Sequence, residues 1–258
     1  MSKYSIIIPY RNRERHLSIL LPKLYEKFKD KDFEIIISEQ NDNDNFRIAC
    51  VEDIGYTFAS GDNILLHQVD YMPTNDVSYE IDDTPILPAR IGHFVNSDFT
   101  PRPIEDVPAG YRKWSTEIDP HFYGGLILMK RHHFESINGL NPLYIGWGNE
   151  DEDLRERFVW ANISVKRNEV GTFNILHHKD NCPPPNEQER YRDFMIGRDI
   201  LNQGINFKDI GYKNLSADIE KFETDYPNLI WIKSTNYKIE VPNEIKNMFG
   251  DYWNVISH

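Results

Sequence analysis

The chain of 258 residues is 40% hydrophobic and 27% charged, a length and composition that suit one sizeable folded core. Its net charge of -12 argues against the basic surface that nucleic-acid binding requires, and an acidic protein instead suits metal ions or neutral polyols as ligands. Two cysteines are too few for a disulfide framework, and without a leader or an apolar run of about 18 residues we expect a cytoplasmic protein with no membrane segment.

The first part of the chain has the pattern of a βαβ unit. An apolar run over Tyr4–Pro9 predicts a strand that is buried on both faces. Leucines at helical spacing from Leu17 to Leu24 predict an amphipathic helix, and the apolar run Phe33–Ser38 predicts a second strand. Because a strand, a helix and a strand follow one another, the sheet should be at least partly parallel.

The next elements should bring charged side chains into one crevice. A helix over about 46–59 precedes a strand over 63–66, which runs into a polar stretch that ends at Asp70. In open α/β sheets, ligands bind beyond the carboxyl ends of the strands. We therefore expect Arg11 and Arg13, which follow the first strand, and Asp70, which follows the third, to face the same crevice.

Between residues 76 and 118 the periodicity fades and prolines accumulate, which predicts an irregular excursion with a short strand or two. An apolar strand after Gly125 and a short helix near His132 should follow. Adjacent residues such as His132 and His133 should point to different sides of any element, so this pair is not a favoured metal site.

The remaining elements include one long polar loop. A strand over 164–167 and a turn at Gly171 lead to TFNILHHKD, and the polar, proline-rich segment 177–186 predicts a loop. A capping box then predicts a helix over 186–202. Near the C terminus, LIWIKSTNYKIEV predicts a strand that pairs at a sheet edge or in a hairpin.

The stretch GWGNEDEDL, residues 146–154, is the strongest candidate for a ligand site. It places the indole of Trp147 between two glycines and follows it with an acidic run. Asn149 opens a capping-box pattern that predicts a helix start, and Asp153 with Arg157 predicts a surface ion pair. Because capping explains one or two acids but not the indole, we expect this stretch to contact a ligand.

Three features that are separated in sequence together outline a divalent-metal site beside a carboxylate. Asp70 offers a hard oxygen ligand, and His177 or His178 offers a nitrogen that manganese accepts more readily than magnesium. The acidic run supplies a base. Together with Arg11 and Arg13, such a site suits the charge of a nucleotide diphosphate, although no glycine-rich phosphate loop is present.

At these residues the chain resembles the β-1,4-galactosyltransferase family. IIIPYRNRERHL is similar to the family's IIIPFRNREEHL, YGGLILMKRHHFESINGL to its FGG strand and following INGF, and GWGNEDEDL to its GWGGEDDD motif. FNILHHKD, with the loop and helix after it, resembles the family's metal-binding histidine and mobile lid. These matches occur in the same order over most of the chain.

The resemblance implies an α/β protein with the GT-A fold, in which a mixed, mostly parallel sheet is flanked by helices. A single domain would cover residues 1–258. Its nucleotide-binding half would be 1–75 and its acceptor and metal half 119–215, with a lid at about 176–186. Residues 216–258 would form a C-terminal extension.

The resemblance also assigns a donor site. The residues that it places at the UDP-sugar are Pro9, Arg11, Arg13, Phe46, Arg47, Val69, Asp70 and Trp147. It implies that Mn²⁺, or alternatively Mg²⁺, is held by Asp70 and His177, with His178 as the alternative histidine. Gln68 replaces the first acid of the family's DVD motif, which removes one carboxylate that faces the donor.

On the acceptor side, the resemblance assigns a base and its surroundings. The residues that it places at the acceptor are Tyr123, Gly124, Trp147, Gly148, Glu150 and Asp151. Asp151 matches the family's proposed catalytic base, and Glu150 matches its acidic neighbour. Phe122 stands where a tyrosine in many members helps to select galactose, so the choice of donor sugar stays open.

We therefore predict that the protein is an inverting, metal-dependent glycosyltransferase that moves a hexose from a UDP-sugar to a hydroxyl of a glycan acceptor. Galactose is the favoured hexose. Phe122 motivates the alternative donors UDP-GalNAc and UDP-Glc. Gln68 motivates a non-catalytic, carbohydrate-binding derivative. A metallohydrolase is a remote third option because no HExxH-like spacing is present.

Overall fold

A computed structural model of the protein describes residues 3–88, 90–96, 98–107, 123–146, 150–168, 170–177 and 206–249. In these ranges the α-helices are α1 (Glu14–Phe28), α2 (Ile48–Tyr56), α3 (Arg131–Ser136), α4 (Glu150–Trp160) and α5 (Asn243–Phe249). The strands are β1 (Tyr4–Tyr10), β2 (Phe33–Gln40), β3 (Asn63–His67), β4 (Tyr71–Pro73), β5 (Ile86–Leu87), β6 (Arg90–Val95), β7 (Leu126–Lys130), β8 (Lys166–Arg167), β9 (Thr172–Leu176), β10 (Leu215–Phe222) and β11 (Leu229–Ile239).

The larger of two sheets is mixed and mostly parallel, with the strand order β10-β11-β2-β1-β3-β7-β5-β8. Its centre is parallel, because β1 pairs in parallel with both β2 and β3, and β11 pairs in parallel with β2. The neighbours outside this centre, β7 and β10, run antiparallel to β3 and β11. The predicted βαβ opening and partly parallel sheet are confirmed.

Burial explains why the first elements form where the pattern predicts them. Every residue of β1 is buried, as expected of a central strand with both faces covered. The apolar positions of α1 from Leu17 to Phe28 are buried at helical spacing and pack against that strand. Cys50 is fully buried in α2.

The second helix is shorter than predicted, because α2 begins at Ile48 and ends at Tyr56. The preceding residue, Arg47, has φ -109° and ψ 72° and forms an isolated parallel bridge with Gly146. Its backbone is therefore extended and cannot belong to the helix. This pairing joins two segments that lie about a hundred residues apart in the chain.

The described parts of the excursion 76–118 contain the two short strands β5 and β6 and a 3₁₀ turn at Ile104–Asp106. The strand β6 joins a second, three-stranded sheet in the order β4-β9-β6. In that sheet β9 pairs antiparallel to β4 and parallel to β6. The segment before His177 is therefore held directly beside the chain that follows Asp70.

The C-terminal strand prediction is confirmed as a hairpin. The strand β11 pairs with β10, which takes the edge of the sheet, while the other side of β11 pairs with β2. The predicted helix over 186–202 lies outside the described residues. Of the helices that are described, none is both long and apolar enough to cross a membrane.

Candidate functional site

The loops that follow β1 and β2 bring Arg11 and Phe46 together. The guanidinium of Arg11 lies 5.1 Å from the centroid of the Phe46 ring, within the range of a cation-π contact. Its Nη1 also donates to the backbone oxygen of Asp44 at 2.5 Å and lies 4.0 Å from Oδ1 of Asp42. Two predicted donor residues thus share one corner of the crevice, where the carboxylate of Asp42 and the carbonyl of Asp44 hold Arg11, two contacts that sequence reasoning did not single out.

Backbone amides connect this corner to the acidic motif and to the end of β2. The amide of Gly146 donates to the carbonyl of Phe46 at 3.0 Å, next to the bridge between Arg47 and Gly146. The amide of Arg47 donates to Oε1 of Gln40 at 2.8 Å, at the end of β2. Because only 3% of Arg47 is exposed, its side chain lies inside the protein. Its role as a donor contact stays a prediction.

Asp70 lies in the turn between β3 and β4, beside the end of β9. Its carbonyl accepts from the amide of Leu176 at 2.8 Å, and the next residue, His177, donates its amide to the carbonyl of Val95 at 2.8 Å. The side chain of His177 is exposed, whereas Asp70 is half-buried. The two predicted metal ligands therefore come from adjacent chain segments, and their role as ligands stays a prediction.

The charges around Asp70 show which groups share its surroundings. Burial raises the pKa of the Asp70 carboxyl, and the positive charges of His16 and Arg13 oppose that rise. The charge of Arg13 therefore acts on Asp70, while their shared role at a donor site stays a prediction. A half-buried carboxylate on one chain segment and an exposed imidazole on the neighbouring one are ligand types that fit Mn²⁺.

His16 was missed by the sequence analysis. It is buried in the first turn of α1, one and two turns before Leu20 and Leu24 on the same face. A polar residue on the apolar face of a helix, at the end that meets the ligand crevice, is the signal that could have identified it.

The turn that carries Asp70 is fixed by the glycine pair. The amide of Gln68 donates to the carbonyl of Gly125 at 2.9 Å. Gly125 has φ +87°, and a Cβ added there would lie 2.3 Å from Cε1 of Tyr71. Only glycine therefore suits this position, both for its backbone conformation and for the approach of the tyrosine ring. Tyr71, which follows Asp70 directly, is a further residue that the sequence analysis missed.

The acidic helix α4 begins at Glu150, so Glu150 and Asp151 occupy its first turn. Oδ1 of Asp151 accepts from the amide of Glu152 at 3.0 Å. Burial raises the pKa of Asp151, the negative charge of Glu152 raises it further, and Arg155 opposes the rise. Asp151 is half-buried, so its carboxylate is both perturbed and accessible.

Asp153 and Arg157 form the predicted ion pair, but the pair is buried and does not lie at the surface. Nε of Arg157 donates to Oδ2 of Asp153 at 2.5 Å, and the two side chains are only 1% and 5% exposed, Arg157 first. Nη1 of Arg157 also donates to the carbonyl of Ile137 at 3.1 Å. The surface prediction is wrong because helical spacing shows that two residues meet, but not whether another segment covers them.

A second buried acid lies near the site and was not predicted. Glu52 of α2 is 5% exposed, and its pKa is raised well above the usual value, first by burial and then by the negative charge of Glu150. Its neighbour Asp53 is also buried. Two consecutive acids inside the otherwise apolar IACVEDIGY were the available signal.

The other predicted contacts are only partly described. Pro9 and Val69 are buried, and Gly124 is half-buried. Tyr123 is half-buried, and its ring centroid lies 6.3 Å from that of Phe158 on α4. The residues that lie outside the described ranges, and whose roles stay predictions, are Phe122, Trp147, Gly148 and His178.

The prediction that His132 and His133 point to different sides is wrong. Their ring centroids are 4.0 Å apart, and the two Nε2 atoms are separated by 3.1 Å. The pair lies at the start of the short helix α3, where no preceding turn limits the direction of the side chains.

Two family models match the chain. The one described as the N-terminal region of glycosyl transferase group 7 matches residues 1–81, and the one described as the N-terminal domain of galactosyltransferase matches residues 109–179. The first match carries Arg11, Phe46 and Asp70. The second carries the glycine pair, the acidic motif and His177.

Three curated relatives illustrate the sequence similarity. A β-N-acetyl-D-glucosaminide β-1,4-N-acetylglucosaminyl-transferase of Lymnaea stagnalis is 33% identical over 185 residues, which are 68% of this chain and 34% of that protein. Human β-1,4-galactosyltransferase 4 is 29% identical, over 69% of this chain and 49% of that protein. Drosophila melanogaster β-1,4-galactosyltransferase 7 is 28% identical, over 79% and 63%. The chain thus spans less than two thirds of each.

The chain is also similar to solved structures of Drosophila β-1,4-galactosyltransferase 7. A crystal structure of a mutant of that protein with manganese, UDP-Gal and xylobiose matches with a TM-score of 0.66 and 22% identity, covering 95% of this chain and 98% of the other. The structure with xylobiose gives the same TM-score and coverage at 21% identity. The predicted GT-A fold, with its mixed and mostly parallel sheet, is confirmed.

Proposed function

The chain belongs to the β-1,4-galactosyltransferase family, and we propose that it is an inverting glycosyltransferase that transfers galactose from UDP-galactose to a hydroxyl of a glycan acceptor. The observation that carries the proposal is the hydrogen bond of 3.0 Å from the amide of Gly146 to the carbonyl of Phe46. It holds the start of the acidic motif against the loop that carries the donor residues, as transfer between two substrates requires.

On the donor side, we propose that positive side chains contact the diphosphate. Arg11 lies against Phe46, and Arg13 shares the surroundings of Asp70. Arginine suits this task because its planar guanidinium forms paired hydrogen bonds with phosphate oxygens. The buried Arg47 would support the loop from within, and its contact with the donor stays a prediction.

Asp70 and His177 would hold a divalent cation, with His178 as the alternative histidine. Manganese is the proposed ion, since it accepts both carboxylate and imidazole and is present in the crystal structure of the Drosophila relative. When bound, such an ion neutralises the negative charge that develops on the departing diphosphate. Gln68 contributes no charge there, so Asp70 would be the main carboxylate at this position.

Asp151 is the proposed general base. As the acceptor hydroxyl oxygen attacks the anomeric carbon, its proton passes to a carboxylate oxygen of Asp151. The bond between the anomeric carbon and the phosphate oxygen breaks, and its electron pair leaves with UDP. Because the hydroxyl attacks from the face opposite to UDP, the configuration inverts. A raised pKa makes Asp151 a better base than an ordinary carboxylate, because the efficiency of proton transfer rises with basicity.

Replacing the base tests this assignment. Asp151→Asn should lower the turnover number by about 100-fold to 10,000-fold, the usual contribution of a general base, while the dissociation constant for UDP stays unchanged. Glu152→Gln is the comparison variant, because Glu152 is exposed in the same helical turn and acts on Asp151 only through its charge, so turnover should fall far less than in Asp151→Asn. Wild-type turnover in Asp151→Asn, or equal losses in both variants, would contradict the proposal.

A second donor is favoured by one specific comparison. The Lymnaea relative, at 33% identity, is named as an N-acetylglucosaminyl-transferase. We therefore propose to compare UDP-Gal, UDP-GalNAc, UDP-Glc and UDP-GlcNAc with manganese, with xylobiose and β-linked N-acetylglucosamine as acceptors. Acceptor-dependent UDP release with one donor identifies the sugar. Sugar binding without UDP release from any donor would instead support the non-catalytic alternative.

A further inference from the structure

The paired histidines lie at the opposite end of the sheet from the proposed active site. The strand β7 runs antiparallel to β3, so its first residue, Leu126, faces His67 and its last, Lys130, faces Asn63. Asp70 follows the His67 end, whereas α3 follows Lys130. The two ends are separated by about 13 Å, because each residue of a strand advances the chain by about 3.3 Å. The groups on α3 therefore cannot bind the cation that Asp70 would hold.

Three potential ligand atoms converge beside α3. Nε2 of His132 lies 3.1 Å from Nε2 of His133 and 3.6 Å from Oδ1 of Asp83. One ligand atom from each of the three residues lies within 4.8 Å of the other two. Two atoms that bind one Zn²⁺ ion at about 2.1 Å, in tetrahedral geometry, are roughly 3.4 Å apart. The separations of 3.1 Å and 3.6 Å are close to this spacing, and the third pair of ligand atoms lies within 4.8 Å, so small side-chain movements would let one ion contact all three groups.

The neighbouring structure holds these groups in place before any ion binds. Asp83 follows Asp82, whose Oδ1 accepts from the amide of Thr84 at 2.7 Å and whose Oδ2 accepts from Nζ of Lys166 at 2.7 Å. These contacts fix the turn that presents Asp83. On the other side, His133 is only 8% exposed, so its ring has little freedom to move. Binding would therefore order mainly the exposed side chains of His132 and Asp83.

We propose that Asp83, His132 and His133 form a second, peripheral site for a divalent transition-metal ion such as Zn²⁺. Two imidazole nitrogens 3.1 Å apart can share either one proton or one cation, and the carboxylate beside them favours the cation. Two nitrogens and one oxygen select zinc, nickel or copper over magnesium and calcium. Because His132 and Asp83 are exposed, water can complete the coordination.

Zinc binding to tag-free protein in competition with a chromophoric chelator tests the proposal. The background variant Asp70→Asn removes the proposed active-site ion, so the remaining site can be measured alone. In that background, His132→Gln and Asp83→Asn should each weaken zinc binding at least tenfold. Glu80→Gln, which removes the same charge from an exposed side chain three residues before Asp83, should leave it unchanged.

The side chain of His132 is 60% exposed and that of Asp83 is 82% exposed, so both variants should fold normally. A thermal melt of each variant checks this. Anomalous diffraction from a crystal soaked in zinc should place the ion within about 2.3 Å of both Nε2 atoms. Equal zinc affinity in the background and in its His132→Gln variant would overturn the proposal and leave a shared proton between the imidazoles.

Discussion

Removing the buried guanidinium of Arg157 should destabilise the protein strongly. In Arg157→Met the carboxylate of Asp153 stays buried without its ion-pair partner, and the carbonyl of Ile137 loses a donor. Breaking a buried ion pair by removing one partner costs about 3–5 kcal/mol. At about 2–4 °C of melting temperature per kcal/mol for a chain near this size, the midpoint should fall by about 6–20 °C.

Thermal and urea unfolding of three variants measure this effect. Arg155→Met is the matched control, because Arg155 lies on the same helix but is 28% exposed, and it should lose less than about 1 kcal/mol. The double variant Arg157→Met/Asp153→Leu removes both charges and should recover most of the loss. The reasoning is refuted if Arg157→Met costs less than about 1 kcal/mol, or if the double variant is no more stable than the single one.

Three further predictions concern the crevice and its surroundings. Gly125→Ala should cost more than about 2 kcal/mol of unfolding free energy, because the backbone is strained and the new methyl group clashes with Tyr71. Adding Tyr71→Leu should restore only the part of this loss that is due to the clash. Burial raises the pKa of Glu52, so the folded protein holds this proton at pH values where the unfolded chain has lost it. The wild type should therefore lose stability as the pH rises above about 4.3 toward the raised pKa, at up to about 1.4 kcal/mol per pH unit. Glu52→Gln should flatten this dependence of the melting temperature on pH. Arg11→Lys keeps the charge but loses the contact with the Phe46 ring, so calorimetry should show UDP binding weakened about two- to fivefold.

The sequence predicted those site residues that belong to a recognisable motif or that follow directly after a predicted strand. Asp70 and Arg13 were expected to converge because carboxyl ends of parallel strands meet, and the charge of Arg13 does act on the Asp70 carboxyl. The proximity of Glu52 to Glu150 could not be predicted, because α2 and α4 are distant in sequence. Only their packing brings the two acids together.

Local spacing determined the elements of this protein. The apolar pattern of β1 and the leucines of α1 specify which face is buried, because the periods of strand and helix follow from backbone geometry alone. Tertiary structure decided which charges are buried and which segments meet. The pairing of Phe46 with Gly146 and the burial of Arg157 depend on segments from elsewhere in the chain that meet or cover these residues. Sequence spacing carries no information about that cover, which is why the pair on α4 was placed at the surface.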